Sequence, residues 1–318
     1  ESRLARLITG TSVGLVLSGG GARAYAHLGA IRALRQVGTP FDFLGGASMG
    51  AVIAAGLALE WPQPELEARI HAAFVEASPL SDIALPFIAM TKGQKVEALL
   101  EEAYGETLIS NLPLPFFCVS ANITANSARL HRKGRLRDAL RASISLPGVL
   151  PPVIQDGSVL VDGAILKSFP ADIMREQHRG PVVGVDVSRA RGVDPKALAR
   201  PKSWSQWLLS GDWRQGPPIV SILMRSATIS TAAELAATRG ATDILILAQL
   251  DGVEIRDWKA FEPAIAAGEV AAFEVISGLD GPITHLRARA ADARNQAIEA
   301  EPVPREPEPE RRRRRKGE

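Results

Sequence analysis

The residue best placed to do chemistry is Ser48, in the pattern Gly46-Ala47-Ser48-Met49-Gly50. Small residues two positions before and two after a serine permit a very sharp turn between a strand and a helix. The turn lifts the serine hydroxyl clear of the backbone, at the positive end of the helix. Such a serine is suited to nucleophilic attack on an acyl group. A chance match in a chain with 28 glycines is the alternative, and the strand and helix predicted around the pattern disfavour it.

A glycine-rich loop, Ser18-Gly19-Gly20-Gly21-Ala22-Arg23, is the second feature with chemical potential. Successive glycines let several backbone N–H groups point at one ligand, which would stabilise an oxyanion as it forms. A dinucleotide-binding loop is an alternative, since Gly19, Gly21 and Ala24 fit its spacing and Asp42 lies roughly 20 residues on. Asp42, however, lies at the beginning of its predicted strand instead of at its end and would not reach a ribose. No Gly-Lys-Ser/Thr follows, which excludes a P-loop, and a purely structural turn stays open.

A base for Ser48 is the third requirement, and Asp162 in Asp162-Gly163-Ala164 is the candidate. Alone, Asp-Gly predicts only a turn. An α/β-hydrolase orders its triad Ser, Asp, His, which leaves His178 and His285. His178 adjoins a charged residue at a predicted helix end and is expected to be exposed, and Ser48 comes too early in the chain for that fold. We therefore favour a Ser48–Asp162 dyad.

The elements around these residues alternate between strand and helix. The apolar run Val13–Leu17 predicts a strand, and the spacing of apolar residues from Tyr25 to Val37 predicts a helix. A second strand is predicted at Phe41–Leu44 and a second helix at Met49–Leu59. This alternation predicts an α/β fold with a parallel sheet and right-handed crossovers.

The rest of the chain continues the pattern, and Asp156-Gly157 predicts a hairpin turn. Further strands are predicted at Pro115–Ser120, Val153-Ile154, Val159–Val161, Val182–Val187 and Ile244–Leu247. Further helices are predicted at Pro64–Ala77, Gln94–Tyr104, Leu136–Ile144, Pro170–Gln177, Ser221–Thr238 and Glu262–Leu279.

Composition narrows the class of protein. The 318 residues are 46% hydrophobic and 23% charged, which is typical of a globular protein of one large or two ordinary domains. The net charge of +2 resides entirely in residues 301–318, and a neutral body argues against nucleic-acid binding. The single cysteine, Cys118, excludes an internal disulfide and a Cys-rich zinc site, and we expect neither a metal nor a cofactor. No apolar run is long enough to span a bilayer.

Taken in order, the three motifs resemble the patatin-like phospholipase family. The stretch Ala142-Ser143-Ile144-Ser145-Leu146-Pro147, followed by Pro151-Pro152, is also similar to a family segment, and the resemblance covers about residues 11–190. It implies a three-layer α/β/α fold with a mainly parallel central sheet, and hydrolysis of acyl esters of phospholipids or lysophospholipids. It also implies that Ser48 is the nucleophile, that Asp162 is its base, and that Gly19, Gly20 and Gly21 with Arg23 form the oxyanion hole.

The flanking segments resemble the neuropathy-target-esterase subgroup. The similar stretches are Arg3–Gly10, Ile222–Thr228 and Gly252–Trp258. Two positions depart from the family pattern: Ala24 replaces a glycine, and Lys167-Ser168 replaces an asparagine pair behind Asp162.

The expected organisation has four parts. Residues 1–10 are a lead-in that could be the remnant of a longer chain, and 11–190 are the catalytic core. Residues 191–300 complete the same domain, with a possible lid around Trp204–Trp213, and 301–318 are a disordered basic tail. The tryptophans and the arginines suggest peripheral membrane contact from the cytoplasm. The oligomeric state is left open, and a non-catalytic lipid-binding or nucleotide-binding module is the alternative function.

Overall fold

The computed structural model describes residues 2–77, 80–82, 89–188, 232–255 and 257–286. They form a mixed eight-stranded sheet with helices on both faces, which confirms the predicted fold class. The segment Trp204–Trp213, most of the predicted helix Ser221–Thr238 and the tail 301–318 lie outside the described residues.

The sheet has a parallel centre and an antiparallel margin. In spatial order it runs β5-β6-β3-β2-β1-β7-β8, and β4 also pairs with β3. Neighbours from β3 to β8 in this order are parallel, whereas β4 and the β5–β6 hairpin run antiparallel to their neighbours. The strands are β1 Gly14–Leu17, β2 Phe43–Ala47, β3 Phe116–Asn122, β4 Ser127–His131, β5 Val153–Gln155, β6 Ser158–Asp162, β7 Val182–Asp186 and β8 Ile244–Leu247.

Ten α-helices in the described residues cover the sheet. They are α1 Arg3–Thr9, α2 Ala26–Gln36, α3 Ser48–Ala58, α4 Gln63–His71, α5 Gln94–Tyr104, α6 Leu136–Ser143, α7 Ala164–Lys167, α8 Ala171–Gln177, α9 Ala232–Arg239 and α10 Phe261–Ser277.

The core is divided by the sheet into two apolar layers. The larger layer joins one face of the sheet to helices including α2, α3, α6 and α10, and the smaller layer joins the other face to α8. Every residue of α3 is buried, which explains why its sequence is apolar all round instead of amphipathic.

Some strand and helix boundaries differ from the predicted ones, and one difference arises where a glycine leaves room for a neighbouring side chain. The second strand runs over Phe43–Ala47 and includes Gly45 and Gly46, whereas the sequence predicted a strand over Phe41–Leu44 that ends at these glycines. A Cβ on Gly45 would lie 2.4 Å from the ring of Phe117, so this glycine makes room for an aromatic side chain in the sheet. The predicted helix Pro64–Ala77 is α-helical only to His71, after which Ala72–Glu76 forms a π-helical turn.

The β5–β6 hairpin takes the position that β2 vacates beside β3. β2 pairs with β3 up to Val119, and β6 pairs with β3 from Ser120 onward, while β4 occupies the opposite side of β3. The predicted turn at Asp156 and Gly157 is confirmed, with φ of +50° and +70°. As a result, β6 ends at Asp162 next to the carboxyl end of β2.

Candidate active site

Ser48 lies at the junction of β2 and α3, as predicted. Its φ of +51° is in the left-handed region, which is unusual for a residue other than glycine and stores strain. A Cβ on Gly46 would lie 2.8 Å from the amide of Ala51, and one on Gly50 would lie 2.4 Å from the carbonyl of Ser18. The two glycines therefore permit the sharp turn that presents the hydroxyl.

The Ser48 hydroxyl donates a hydrogen bond of 2.6 Å to Oδ2 of Asp162. The other carboxylate oxygen accepts a 2.8 Å bond from the amide of Ala164. Gly163 lets the chain turn here, since a Cβ would lie 2.2 Å from the carbonyl of Val119. Asp162 is 1% exposed and Ser48 is 8% exposed, so solvent has little access to the two side chains.

Burial changes the acidity of this carboxylate. Desolvation raises the pKa of Asp162 from 3.8 to about 6, against the opposing effect of the hydrogen bonds from Ser48 and Ala164. A carboxylate with a raised pKa is a stronger base than one in water, and a base is most effective when its pKa is close to the ambient pH. Asp162 is therefore suited to accept the proton of the neighbouring hydroxyl.

The glycine-rich loop lies against both residues of the pair. A Cβ on Gly19 would lie 3.2 Å from Cβ of Ser48 and 3.1 Å from Cβ of Ala164. The Gly19 amide donates to the carbonyl of Ser168 at 2.8 Å, whereas the amides of Gly20 and Gly21 have no acceptor among the described residues. Gly20 and Gly21 are thus the loop positions whose N–H groups are free to bind an anion.

Two contacts fix the shape of this loop. Gly21 has a φ of +55°, and a Cβ there would lie 2.3 Å from the carbonyl of Ile255, which accepts the amide of Ala22 at 2.8 Å. Arg23 is buried, and its Nε donates to the carbonyl of Val187 at 3.0 Å. Arg23 therefore ties the loop to the segment that follows β7.

The positions that depart from the family pattern are accommodated. Ala24 is fully buried in the first turn after the loop. Lys167 forms an ion pair with Asp172, while Ser168 supplies the carbonyl that holds Gly19. The contact of Ser168 is made by its backbone, so it does not depend on the side chain.

Ser143 is a functional candidate that the sequence analysis did not assign. Its hydroxyl accepts the amide of Ser48 at 3.0 Å and donates to the carbonyl of Val119 at 2.7 Å. The carbonyls of Ser143 and Ser145 accept the amides of Gly163 and Asp162. The segment from 143 to 145 thus holds the backbones of both members of the pair. The signal was present in the stretch that resembles the family segment, but that pattern does not reveal what the serines contact.

None of the five histidines, all of which lie in the described residues, hydrogen-bonds to Ser48 or Asp162. The expectation that His178 is exposed is wrong. It is buried, with its ring against Phe43 and its Nε2 on the carbonyl of Ser12, because α8 packs this end of the chain onto β1. Although His178 is buried, it does not form a catalytic triad with Ser48 and Asp162.

A buried serine–histidine pair does occur at a different place. The hydroxyl of Ser120 lies 2.7 Å from Nε2 of His131, and burial lowers the pKa of His131 to about 4. Ser120 is completely buried, so a substrate cannot reach its hydroxyl. Ser120 and His131 are thus the residue types of a catalytic serine–histidine pair, but a substrate cannot reach them.

The dinucleotide-binding alternative is not supported by the position of Asp42. This carboxylate precedes β2 and pairs with Arg6, at the amino edge of the parallel strands. The glycine loop follows β1 at the carboxyl edge. In the described residues, no three His, Cys, Asp or Glu side chains converge into a metal site, and no helix has the length and hydropathy to cross a bilayer.

An elbow serine, a buried carboxylate and a glycine loop on an α/β/α sheet together have the architecture of a serine acyl hydrolase. Comparison with known families gives the same result at a finer level. The model of the patatin-like phospholipase family matches residues 15–175, and the chain belongs to that family.

The relatives include proteins of the neuropathy-target-esterase type, as the flanking segments predicted. An NTE family protein of Mycobacterium tuberculosis is 34% identical over 275 residues, which are 85% of this chain and 47% of the relative. Human patatin-like phospholipase domain-containing protein 6 is 34% identical over 245 residues, or 74% of this chain and 18% of the relative. This chain thus spans about half the length of the mycobacterial relative. Among solved structures, VipD from Legionella pneumophila aligns with a TM-score of 0.45 at 14% identity, covering 84% of this chain and 67% of its own.

Proposed function

We propose that this protein is a serine acyl hydrolase that releases fatty acid from a phospholipid or lysophospholipid. Ser48 Oγ attacks the ester carbonyl carbon while its proton passes to Asp162, and the amides of Gly20 and Gly21 stabilise the oxyanion that forms. The alcohol leaves with the proton from Asp162 and an acyl-enzyme on Ser48 remains. Water then gives a proton to Asp162 and attacks the acyl carbon. When this second tetrahedral intermediate collapses, Asp162 returns the proton to Ser48 Oγ and the fatty acid leaves.

The observation that carries this proposal is the 2.6 Å hydrogen bond from the strained Ser48 to the buried Asp162. Nucleophile and base are in contact before substrate arrives, so little reorganisation is needed for the first proton transfer. The positive end of α3 also favours negative charge developing at this point.

A small apolar crevice lies beside α3. Val52, one helical turn beyond Ser48, contributes to it, and its other walls come from α5 and from the π-helical turn after α4, including Leu100, Tyr104 and Phe74. Its volume of about 50 Å³ is about a third of that of a cavity that holds one benzene molecule, so it is too small for an acyl chain. A lipid as the substrate is therefore supported by membership of the patatin-like phospholipase family and not by this crevice.

Labelling with a fluorophosphonate probe, followed by peptide mapping, tests the nucleophile directly. We expect a single adduct on Ser48, and fatty-acid release from lysophosphatidylcholine that the probe abolishes. Ser48→Ala should eliminate both signals.

A matched control is available in the buried serine–histidine pair. Ser120→Ala should keep labelling and turnover within a few-fold of wild type, since Ser120 is inaccessible. An adduct on Ser120, or turnover that survives Ser48→Ala in pure protein, would refute the proposed mechanism.

A further inference from the structure

A row of apolar side chains crosses the antiparallel margin of the sheet. Ile154 on β5 is directly opposite Val159 on β6, so the two share a face of the sheet. The amide of Ile123 donates to the carbonyl of Val159 at 3.0 Å, which places Ile123 on the other side of Val159. Ile123 is 57% exposed and Ile154 is 77% exposed, while Val159 between them is half-buried. We call Ile123, Val159 and Ile154 the isoleucine ridge.

The isoleucine ridge is close to the candidate active site. Val159 lies three positions before Asp162 on the same strand, a separation of about 10 Å along an extended chain. Because this spacing is odd, the side chain of Val159 and the carboxylate of Asp162 project from opposite faces of the strand, so the ridge shares an edge of the sheet with the site and not a face. Ile123 follows the carboxyl end of β3, and the hairpin projects beyond the carboxyl end of β2, where Ser48 begins its helix. The ridge and the Ser48 hydroxyl are therefore at the same edge of the sheet.

The two turns that carry the isoleucines are held together by polar contacts. The amide of Val159 donates to Oγ1 of Thr124 at 3.0 Å, and the side chain of Asn122 accepts the amides of Thr124 and Ala125. Arg129 pairs with Asp156 at the hairpin turn at 2.7 Å. These bonds hold Ile123, Val159 and Ile154 together as one contiguous apolar patch, and contiguous exposed patches, unlike single exposed residues, can mark interaction sites.

We propose that the isoleucine ridge inserts into a lipid surface and so brings the scissile ester of a membrane lipid to Ser48. This inference rests on the proposed function, because only an enzyme whose substrate lies in a bilayer needs such a contact beside its site. Two exposed isoleucines are far fewer than the 20–30 residues per partner of a stable protein interface. They suffice for shallow insertion of apolar side chains into a bilayer, which gains free energy in proportion to the area buried.

A second exposed apolar patch serves as a control. On α1, Leu4, Leu7 and Ile8 are exposed, and Ile8 at 77% equals Ile154 in exposure. Arg6 fastens α1 to Asp42, which precedes β2, so this patch is at the amino edge of the strands. A membrane that contacts α1 is therefore at the wrong edge to deliver an ester to Ser48.

The test compares matched variants in two assays. The double variants Ile123→Ser/Ile154→Ser and Leu4→Ser/Ile8→Ser of the 318-residue chain are assayed for sedimentation with phosphatidylcholine vesicles at high salt, which suppresses the contribution of basic residues. They are also assayed for turnover of a soluble short-chain ester. We expect the ridge variant to lose on the order of tenfold or more in vesicle partitioning, while its soluble-ester turnover stays within twofold. The α1 variant should change neither.

A labelling experiment reports insertion without depending on activity. Cys118 is buried and is the chain's only cysteine, so Ile154→Cys and Ile8→Cys can each be labelled with an environment-sensitive fluorophore. Vesicles should shift the emission of the label at position 154 to the blue and leave that at position 8 unchanged. Equal partitioning of the ridge variant and wild type, or equal shifts at both positions, would overturn the proposal. Insertion at position 154 by a protein that hydrolyses no lipid would instead refute the proposed function alone.

Discussion

Two buried aspartates at opposite edges of the sheet have opposite environments. Asp42, at the amino edge, is 1% exposed and receives two hydrogen bonds from the guanidinium of Arg6, at 2.9 and 2.6 Å, and a third from the amide of Val13. Asp162, at the carboxyl edge, is equally buried, but its contacts are the hydroxyl of Ser48 and the amide of Ala164. One carboxylate is neutralised by a cation, whereas the other faces a group that it could deprotonate.

The difference shows how one residue type serves structure in one place and chemistry in another. Pairing with Arg6 compensates the charge of Asp42, so this aspartate fixes the chain that enters β2 and the helix α1. At Asp162 the desolvation is incompletely compensated, which raises its pKa to about 6. The fold thus tolerates an unfavourable charge at the position where a base would be useful.

The largest expected effect separates the two aspartates by activity. Asp162→Asn should lower kcat for a soluble ester by about 10³-fold or more, because the amide cannot accept the serine proton. Ser48→Ala should be as damaging. Asp42→Asn should leave kcat within a few-fold of wild type, since Asp42 is at the other edge of the sheet. Steady-state kinetics on the three purified variants tests this prediction. A severe kcat defect in Asp42→Asn would contradict the assignment of a structural role to Asp42 and a catalytic role to Asp162.

The same substitutions should change stability in opposite directions. Asp42→Asn leaves the Arg6 guanidinium without its charged partner and should lower the free energy of unfolding by about 2–3 kcal/mol. In Asp162→Asn, one terminal atom of the side chain can still contact the Ser48 hydroxyl and the other the amide of Ala164, while the buried charge is removed. A pKa rise from 3.8 to about 6 corresponds to about 3 kcal/mol at neutral pH. We therefore expect Asp162→Asn to be more stable than wild type by about 1–3 kcal/mol in denaturant titrations.

The size of the stability gain in Asp162→Asn depends on pH. The pKa of Asp162 is higher in the folded than in the unfolded protein. Its contribution to the free energy of unfolding is therefore fully present below pH 3.8, its unfolded-state pKa, and is lost as the pH rises through about 6. The advantage of Asp162→Asn should therefore be small near pH 4 and reach its full value above pH 6. An advantage of the same size at both pH values would show that it does not come from the ionisation of Asp162.

The pH profile of the wild-type enzyme offers a smaller but sharper test. The proposed base, Asp162, can accept a proton only when it is deprotonated, so kcat/KM for a neutral ester should fall about tenfold per pH unit below about 6 and level off above it. A profile that stays flat down to pH 4.5 would mean that Asp162 has an ordinary carboxylate pKa in the working enzyme.

The residues of the candidate site could be predicted from the sequence because each lies next to a glycine that a tight turn requires. Glycines around Ser48 and after Asp162 report tight turns, and a turn leaves a trace in the sequence. The alternation of strands and helices likewise predicted the α/β sheet, although the second strand was predicted to end at Leu44, because the packing of Gly45 against Phe117 joins residues that are distant in the chain.

What could not be predicted depends on contacts between distant segments. The burial of His178 follows from the packing of α8 on β1, and the engagement of the Gly19 amide follows from the approach of Ser168. The contact of Ser143 with Ser48 joins residues 95 positions apart. Such pairings are set by the tertiary fold and have no local pattern.

Ser143 gives the smallest predicted effect, and it tests whether the elbow needs support. Ser143→Ala deletes the acceptor of the Ser48 amide in a buried site and leaves that N–H unpaired. Because Ser48 has a φ of +51°, loss of this restraint should let the hydroxyl move from Asp162. We expect kcat and the rate of fluorophosphonate labelling to fall by about tenfold, with KM for a short ester little changed.

Ser145→Ala is the matched control for this positioning role. Ser145 is as buried as Ser143 and its hydroxyl bonds only to Arg141, while the carbonyl that holds Asp162 belongs to its backbone and survives the substitution. Both variants should lose stability by on the order of 1–2 kcal/mol, because each removes a buried hydrogen-bonding group. Only Ser143→Ala should slow labelling. If the two variants slow it equally, the effect belongs to the general packing of the segment from 141 to 145 and not to the bond at the elbow.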